Sequence, residues 1–228
     1  MRQLYLRLNE LTKIKDFLKA NEFRPFVNDS KHFGLLYLFE LAYDPFCMSQ
    51  ILSVKQSIDL IKLCEFSASN DKWSLLYRGT RDGFECGNFH TKCDNKSPTL
   101  TVCKTLHTGF VFGGYTEAQW ESSSGKDVYK RDSQAFVFSL INRESKPCKM
   151  RTLDASHSIF CSTWSGPTFG ADFSIYIANK ANKIDYCSSN LGKTYRHVKY
   201  VYNSDESRAF LAGSYHFQLS EIEVYQRE

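Results

Sequence analysis

The sequence has no apolar run near the ~20 residues that a membrane-crossing helix needs. Its opening, MRQLYLRLNELTKIKD, is broken by charge and has no apolar leader core. Together these predict a cytoplasmic protein without membrane insertion. Strong charge of either sign is also missing. The formal net charge is +4, and the basic residues are scattered, which is the pattern of a solvated surface and argues against nucleic-acid binding. The eight cysteines include no CxxC pair, and the six histidines no HxxxH spacing. That excludes the familiar zinc-finger spacings, so no metal and no cofactor are expected. Reduced thiols, many of them buried as small apolar groups, fit the chain better than a disulfide framework. Neither a Gly-x-Ser-x-Gly elbow nor a phosphate-binding Gly-Lys-Ser/Thr loop is present.

Helix and strand periodicities remain. Leu4, Leu8, Leu11 and Leu18 form a helical stripe, and a second apolar stretch spans 33–41. Residues 1–45 are read as a helical extension that buries that stripe either on the domain or by self-association. Ser53 with Gln56 fits a capping box opening a helix whose face holds Val54, Ile58 and Ile61. Trp73, Leu75 and Tyr77 alternate with polar or flanking residues, as in a half-buried strand. GFECGNFHTKCD reads as a short helix. Further apolar runs, TLTVCK, GFVFGGY, AFVFSL, HSIFCS and DFSIYIAN, are separated by turns, and a long strand closes the chain at 214–226. Gly113-Gly114 reads as a bend or bulge. Trp73, Leu75, Tyr77, Phe136, Phe138, Ile175 and Ile177 are the expected core. Many short strands without βαβ alternation predict a β-rich α+β fold.

Three constellations could carry chemistry. Cys86, His90 and Cys93 share a helix face, which suits either a metal site with Asp94 or His107 as fourth ligand or a packed helix with a rim histidine. Cys86, between Arg81 and His90, is the best candidate for an activated thiol, followed by Cys187 in a polar loop near Lys183. Glu221 and Glu223 lie on the same face of the closing strand. They suit acid–base work or structural hydrogen bonding. Asp82 is read first as a turn residue. The long polar loops 121–134 and 180–190 are candidate partner-binding segments, with Lys126, Lys130, Arg131 and Lys183 as their cations.

Taken in order, WSLLYRGTRDGF (73–84), TLTVCK (99–104), GFVFGGYTEAQW (109–120), AFVFSL (135–140), SGPTFG (165–170) and FQLSEIEVYQ (217–226) closely resemble the TLDc domain of oxidation-resistance proteins and of some TBC-domain and LysM proteins. The resemblance covers residues 46–228. It implies a two-sheet antiparallel sandwich flanked by short helices. It also makes Gly166, Pro167, Phe169 and Gly170 a glycine-turn signature, here with less glycine than in the oxidation-resistance group. Functionally it implies a non-catalytic module that binds a protein partner. Family members are linked to oxidative-stress resistance, and several regulate the vacuolar-type proton-pumping ATPase. A redox-responsive thiol protein or a weak peroxide-reducing or hydrolytic enzyme is the alternative.

Overall fold

Ser53 and Gln56 do close a capping box. The Gln56 N–H donates to Ser53 Oγ at 3.3 Å, and the Ser53 N–H donates to Gln56 Oε1 at 2.8 Å. They start helix α1 (Val54–Cys64), which ends at Glu65 in a left-handed conformation. Its buried face is Ser57, Leu60, Ile61 and Cys64, one step round from the expected Val54–Ile58–Ile61 face. The computed structural model describes residues 44–67, 71–122, 127–175, 180–197 and 199–228. The expected stripe of Leu4, Leu8, Leu11 and Leu18, the stretch 33–41, Lys126 and Ile177 lie outside the described residues. The chain separates into two units, Met1–Lys72, which contains α1, and Trp73–Glu228.

The second unit is built on twelve described strands: β1 (Trp73–Arg78), β2 (Thr99–Thr105), β3 (Val111–Thr116), β4 (Val128–Lys130), β5 (Phe136–Ile141), β6 (Cys148–Arg151), β7 (Ile159–Cys161), β8 (Thr168–Phe169), β9 (Phe173–Ser174), β10 (Cys187–Ser189), β11 (His216–Phe217) and β12 (Leu219–Arg227). Short helices α2 (Gly79–Asp82), α3 (Cys86–Cys93) and α4 (Asp205–Ala209) lie between them. Pairing among these strands is antiparallel. It yields a six-stranded sheet in the order β1-β12-β2-β3-β5-β6, a four-stranded sheet β11-β10-β9-β8, and a separate β4–β7 ribbon. The fold is α+β, with three sheets among the described residues where the family resemblance implied two. The extra ribbon arises because three residues of the polar 121–134 segment pair with β7.

The closing strand β12 sits between β1 and β2, so its alternation sorts side chains to two faces. Ile222 and Val224 join Cys103, Phe112 and Val137 in the main core. Phe112 meets Phe173 and Phe217 of the smaller sheet edge-on, both at 5.5 Å between centroids. That geometry suits ring quadrupoles and locks the two sheets together. The opposite face of the large sheet carries Leu100, Val102, Tyr115, Phe136 and Phe138, also buried. A central strand buried on both faces loses clean polar alternation, which explains the near-continuous apolar run of AFVFSL.

Tyr77, Phe136, Phe138 and Ile175 are buried as expected, whereas Trp73 and Leu75 are half-buried. The cause is a register shift between Leu75 and Tyr77 against β12. Such a bulge breaks period-2 parity and sends Leu76 toward the core. Gly113 and Gly114 make no bulge of their own. A Cβ on Gly114 would lie 2.5 Å from the Phe169 ring, and one on Gly113 would strike the Thr101 carbonyl and the Phe138 ring. These glycines let aromatic rings and a neighbouring strand cross β3 closely.

Candidate functional site

Helix α3 presents Cys86, Phe89, His90 and Cys93 on its buried face. Phe89 packs edge-on against Tyr77 and Trp120, at 5.9 and 5.6 Å. That anchors the helix and fixes His90. The His90 Nδ1 lies 2.8 Å from Asp94 Oδ1, while Nε2 lies 3.0 Å from both the Ser162 and Ser165 carbonyl oxygens. Carbonyls only accept, so Nε2 carries a proton and donates to them. The Ser122 hydroxyl donates to the other Asp94 oxygen at 2.5 Å. His90 is therefore a fastener between α3 and the turn 162–165. The Ser165 N–H donates to the Ser162 carbonyl at 3.3 Å and closes that turn. At its tip stands Trp164, 65% exposed.

The glycine-turn signature continues from this turn into the core. Gly166 N–H donates to the Ile175 carbonyl and Ile175 N–H to the Pro167 carbonyl, at 2.9 and 3.2 Å. Phe169 is fully buried, stacked on Phe173 at 4.9 Å and edge-on to Trp120 at 5.6 Å. Gly170 has φ +56°, and a Cβ there would overlap Thr194. A left-handed turn under a neighbouring side chain requires glycine. Asp172 then holds the facing loop by accepting the N–H groups of Gly192, Lys193, Thr194 and Tyr195. Burial pushes its carboxyl upward against those donors, which hold it down.

Glu221 and Glu223 belong to a different constellation. Glu221 accepts the Thr80 N–H at 3.1 Å, the Thr80 hydroxyl at 2.5 Å and the Ile222 N–H at 3.0 Å. It thereby ties down the start of α2. Glu223, fully buried, pairs with Arg78 Nε at 2.9 Å and accepts the Tyr225 hydroxyl at 2.8 Å. Asp82 accepts the Arg78 N–H at 2.9 Å and pairs with Arg81 at 2.7 Å. Burial works to raise its carboxyl, but these bonds hold it below the usual range. Buried carboxylates whose oxygens already hold donors stabilise local geometry.

Of the loop cations, Lys130 is half-buried, paired with Glu121 at 2.7 Å and donating to the Gln119 carbonyl at 2.6 Å. Arg131 and Lys183 are exposed. Cys187 is fully buried on β10, because that stretch of the expected polar loop pairs with β9 and β11. Among the described thiols only Cys47 is exposed, and Cys148 is partly so. Burial raises the Cys93 and Cys103 thiols and pushes Cys148 and Cys161 up to about 11, opposite to the shift that activates a thiol. Among the described residues no group of three or more His, Cys, Asp or Glu could hold a metal ion. No helix among them is long and apolar enough to cross a membrane.

Trp164 escaped the sequence reading. Its one signal is a tryptophan immediately before Ser-Gly-Pro, a position where a core strand has no use for it.

His90, Asp172, Glu221 and Glu223 are thus tied into internal bonds, while the Trp164 side chain is held outward. The TLDc domain family model matches residues 47–228, and the chain belongs to that family. No curated protein matches the chain.

Proposed function

We propose that this domain acts by binding a protein partner without turnover, through the fastened turn that carries Trp164. One observation carries this reading: a tryptophan 65% exposed on a turn whose two end carbonyls are both bonded to a buried histidine. Tryptophan is enriched among residues that dominate interface energies. A turn already fixed in place loses little conformational freedom on binding. Exposed Arg131 and Lys183, with Lys126, supply positive charge that steers association. The partner proposed first is the vacuolar-type proton-pumping ATPase, in a cytoplasmic role in oxidative-stress resistance. The family supports that choice. A role in self-association is proposed for residues 1–45.

The test measures binding of the full chain to the purified catalytic sector of that ATPase. Trp164→Ala should weaken it by about 2 kcal/mol or more, the scale of a hot spot, with the unfolding midpoint unchanged. Unchanged affinity in that variant would remove the turn from the interface. No binding by the wild-type chain would remove this partner.

A further inference from the structure

The Trp164 turn hangs on His90. Ser162 and Ser165 stand at its two ends, 5% and 2% exposed, and both of their carbonyls lie 3.0 Å from His90 Nε2. Two further bonds stay within the turn. The Ser165 N–H donates to the Ser162 carbonyl at 3.3 Å, and the Trp164 N–H donates to Ser162 Oγ at 3.3 Å. The Ser165 hydroxyl is buried and makes no hydrogen bond among the described residues. His90 is therefore the side chain that joins both ends of the turn to helix α3. On the other edge of its ring, Nδ1 lies 2.8 Å from Asp94 Oδ1, and the Ser122 hydroxyl donates to Asp94 Oδ2.

These partners fix how many protons the site holds. Nε2 faces two carbonyl oxygens, which only accept, so it must donate. Nδ1 faces a carboxyl oxygen, which also accepts when ionised. A neutral ring has a single N–H and cannot donate at both edges. With its proton on Nε2, the bare Nδ1 lone pair faces an ionised Asp94. With its proton on Nδ1, the bare Nε2 lone pair faces two carbonyls. Either way lone pairs oppose each other in a site where His90 is only 8% exposed, and an unmade bond there is costly. Every contact is satisfied only when one more proton sits between Nδ1 and Asp94. Ordinary basicities, about 6.5 for imidazole against about 3.9 for an aspartate carboxyl, put that proton on the ring. His90 is then an imidazolium donating from both nitrogens. The surrounding ionisable groups leave that proton count alone. Burial raises the thiols of Cys93, on α3, and Cys161, at the end of β7, which keeps both uncharged. Glu121 and Lys130, on the Cys161 side, pair with each other at 2.7 Å. Asp82, on the Cys93 side, is paired with Arg81.

We propose that His90 and Asp94 form a proton-operated clasp on the Trp164 turn, closed while His90 is doubly protonated and opened when one proton is lost. The inference rests on the reading of this turn as the partner-binding site and assigns that site a regulator. Binding is favoured on the acid side and weakens as pH rises. The departing proton reaches solvent past Asp94, whose side chain is 18% exposed. The ionised carboxylate makes the stronger bond, so the remaining proton stays on Nδ1. Nε2 is then bare before the Ser162 and Ser165 carbonyls, and the turn loses its attachment to α3.

The experiment follows the full chain by nuclear magnetic resonance from about pH 5 to about pH 8, the range in which histidines change charge. It reads the nitrogen shifts of the His90 ring and the exchange protection of the Ser165 N–H, in wild type and in the isosteric variant Asp94→Asn. In wild type both ring nitrogens should be protonated at the acid end. As one proton is lost, Ser165 protection should fall about tenfold or more, the scale of one charge-assisted hydrogen bond. In D94N the amide can donate to a bare Nδ1 or accept from a protonated one, so Nε2 remains a donor in both states. Protection should then stay level with pH, whereas a merely structural ion pair predicts a turn already loosened in D94N. Affinity for the catalytic sector of the ATPase should fall about tenfold over the same range in wild type and hold steady in D94N. Absence of partner binding removes the interface reading and leaves the exchange result to decide the clasp. A His90 that keeps both protons to about pH 8, or loses one with Ser165 protection unchanged, overturns the proposal. So does a D94N variant that keeps the wild-type pH dependence.

Discussion

Replacing Glu223 by Gln tests whether the closing-strand carboxylates are structural. The wild-type pair is Arg78 Nε to Glu223 Oε1 at 2.9 Å, with side chains 9% and 0% exposed. Glutamine keeps the shape and an acceptor for the Tyr225 hydroxyl but removes the negative charge. The Arg78 guanidinium then stays buried without that carboxylate. Breaking a buried pair from one side costs about 3–5 kcal/mol, against a total stability of about 5–15 kcal/mol for a domain. With a urea slope near the top of the about 1–3 kcal/mol per molar range, the midpoint falls by about 1–2 M. The triple variant Arg78→Met, Glu223→Leu and Tyr225→Phe removes the ion pair and the Tyr225 hydroxyl bond together. That triple variant should be at least about 2 kcal/mol more stable than E223Q. Tryptophan fluorescence during urea titration reads both. An E223Q midpoint within about 0.3 M of wild type, a few tenths of a kcal/mol to about 1 at these slopes, would refute the structural assignment. It would return Glu223 to the list of acid–base candidates.

Gly114→Ala should cost about 1–3 kcal/mol by overpacking, because the new Cβ lies 2.5–2.7 Å from three carbons of the Phe169 ring. Gly87→Ala on α3, with open space around it, should instead be neutral or stabilising by up to about 1 kcal/mol. Calorimetric melting temperatures that move alike in both variants would sink the packing argument. The pH dependence rests on His197, whose Nδ1 accepts the N–H groups of Lys199 and Tyr200. Burial lowers its folded-state pKa, with Glu144 opposing. A lowered pKa means that the unfolded chain binds more protons. The contribution is therefore full above the unfolded value of about 6.5 and is lost as pH falls through the lower folded value. His197→Asn keeps an acceptor without titrating and should flatten that loss in urea midpoints measured across pH. A variant that becomes more acid-sensitive than wild type would show the sign to be wrong.

The elements whose stabilising contacts are local were legible. The Ser53–Gln56 box is three residues long, and the buried face of α3 repeats at helical spacing. What the sequence hid depends on distant neighbours. The bulge at Leu75–Tyr77 exists only in register with β12, so strict alternation assigned Trp73 and Leu75 too much burial. Gly113 and Gly114 look like a bend until Phe138 and Phe169, from other strands, are seen crossing them. The β4–β7 ribbon has only three residues a side, and Tyr129 and Lys130 give it no apolar signature.

The same logic governs the candidate site. Cys86, His90, Glu221 and Glu223 were chosen because their side chains can do chemistry, and that ability does not depend on what they touch. Whether a polar group is available does depend on its partner, and the partners are far away in sequence. Glu223 finds Arg78 across 145 residues, and His90 finds Ser162 across 72. Each such bond removes a reactive group from consideration and adds rigidity to the scaffold. Function is then left to groups with no internal partner. Trp164 is one, projected by bonds made beneath it. The internal bonds and the exposed groups are two halves of one arrangement, since a side chain can anchor a partner only where the chain that bears it cannot yield.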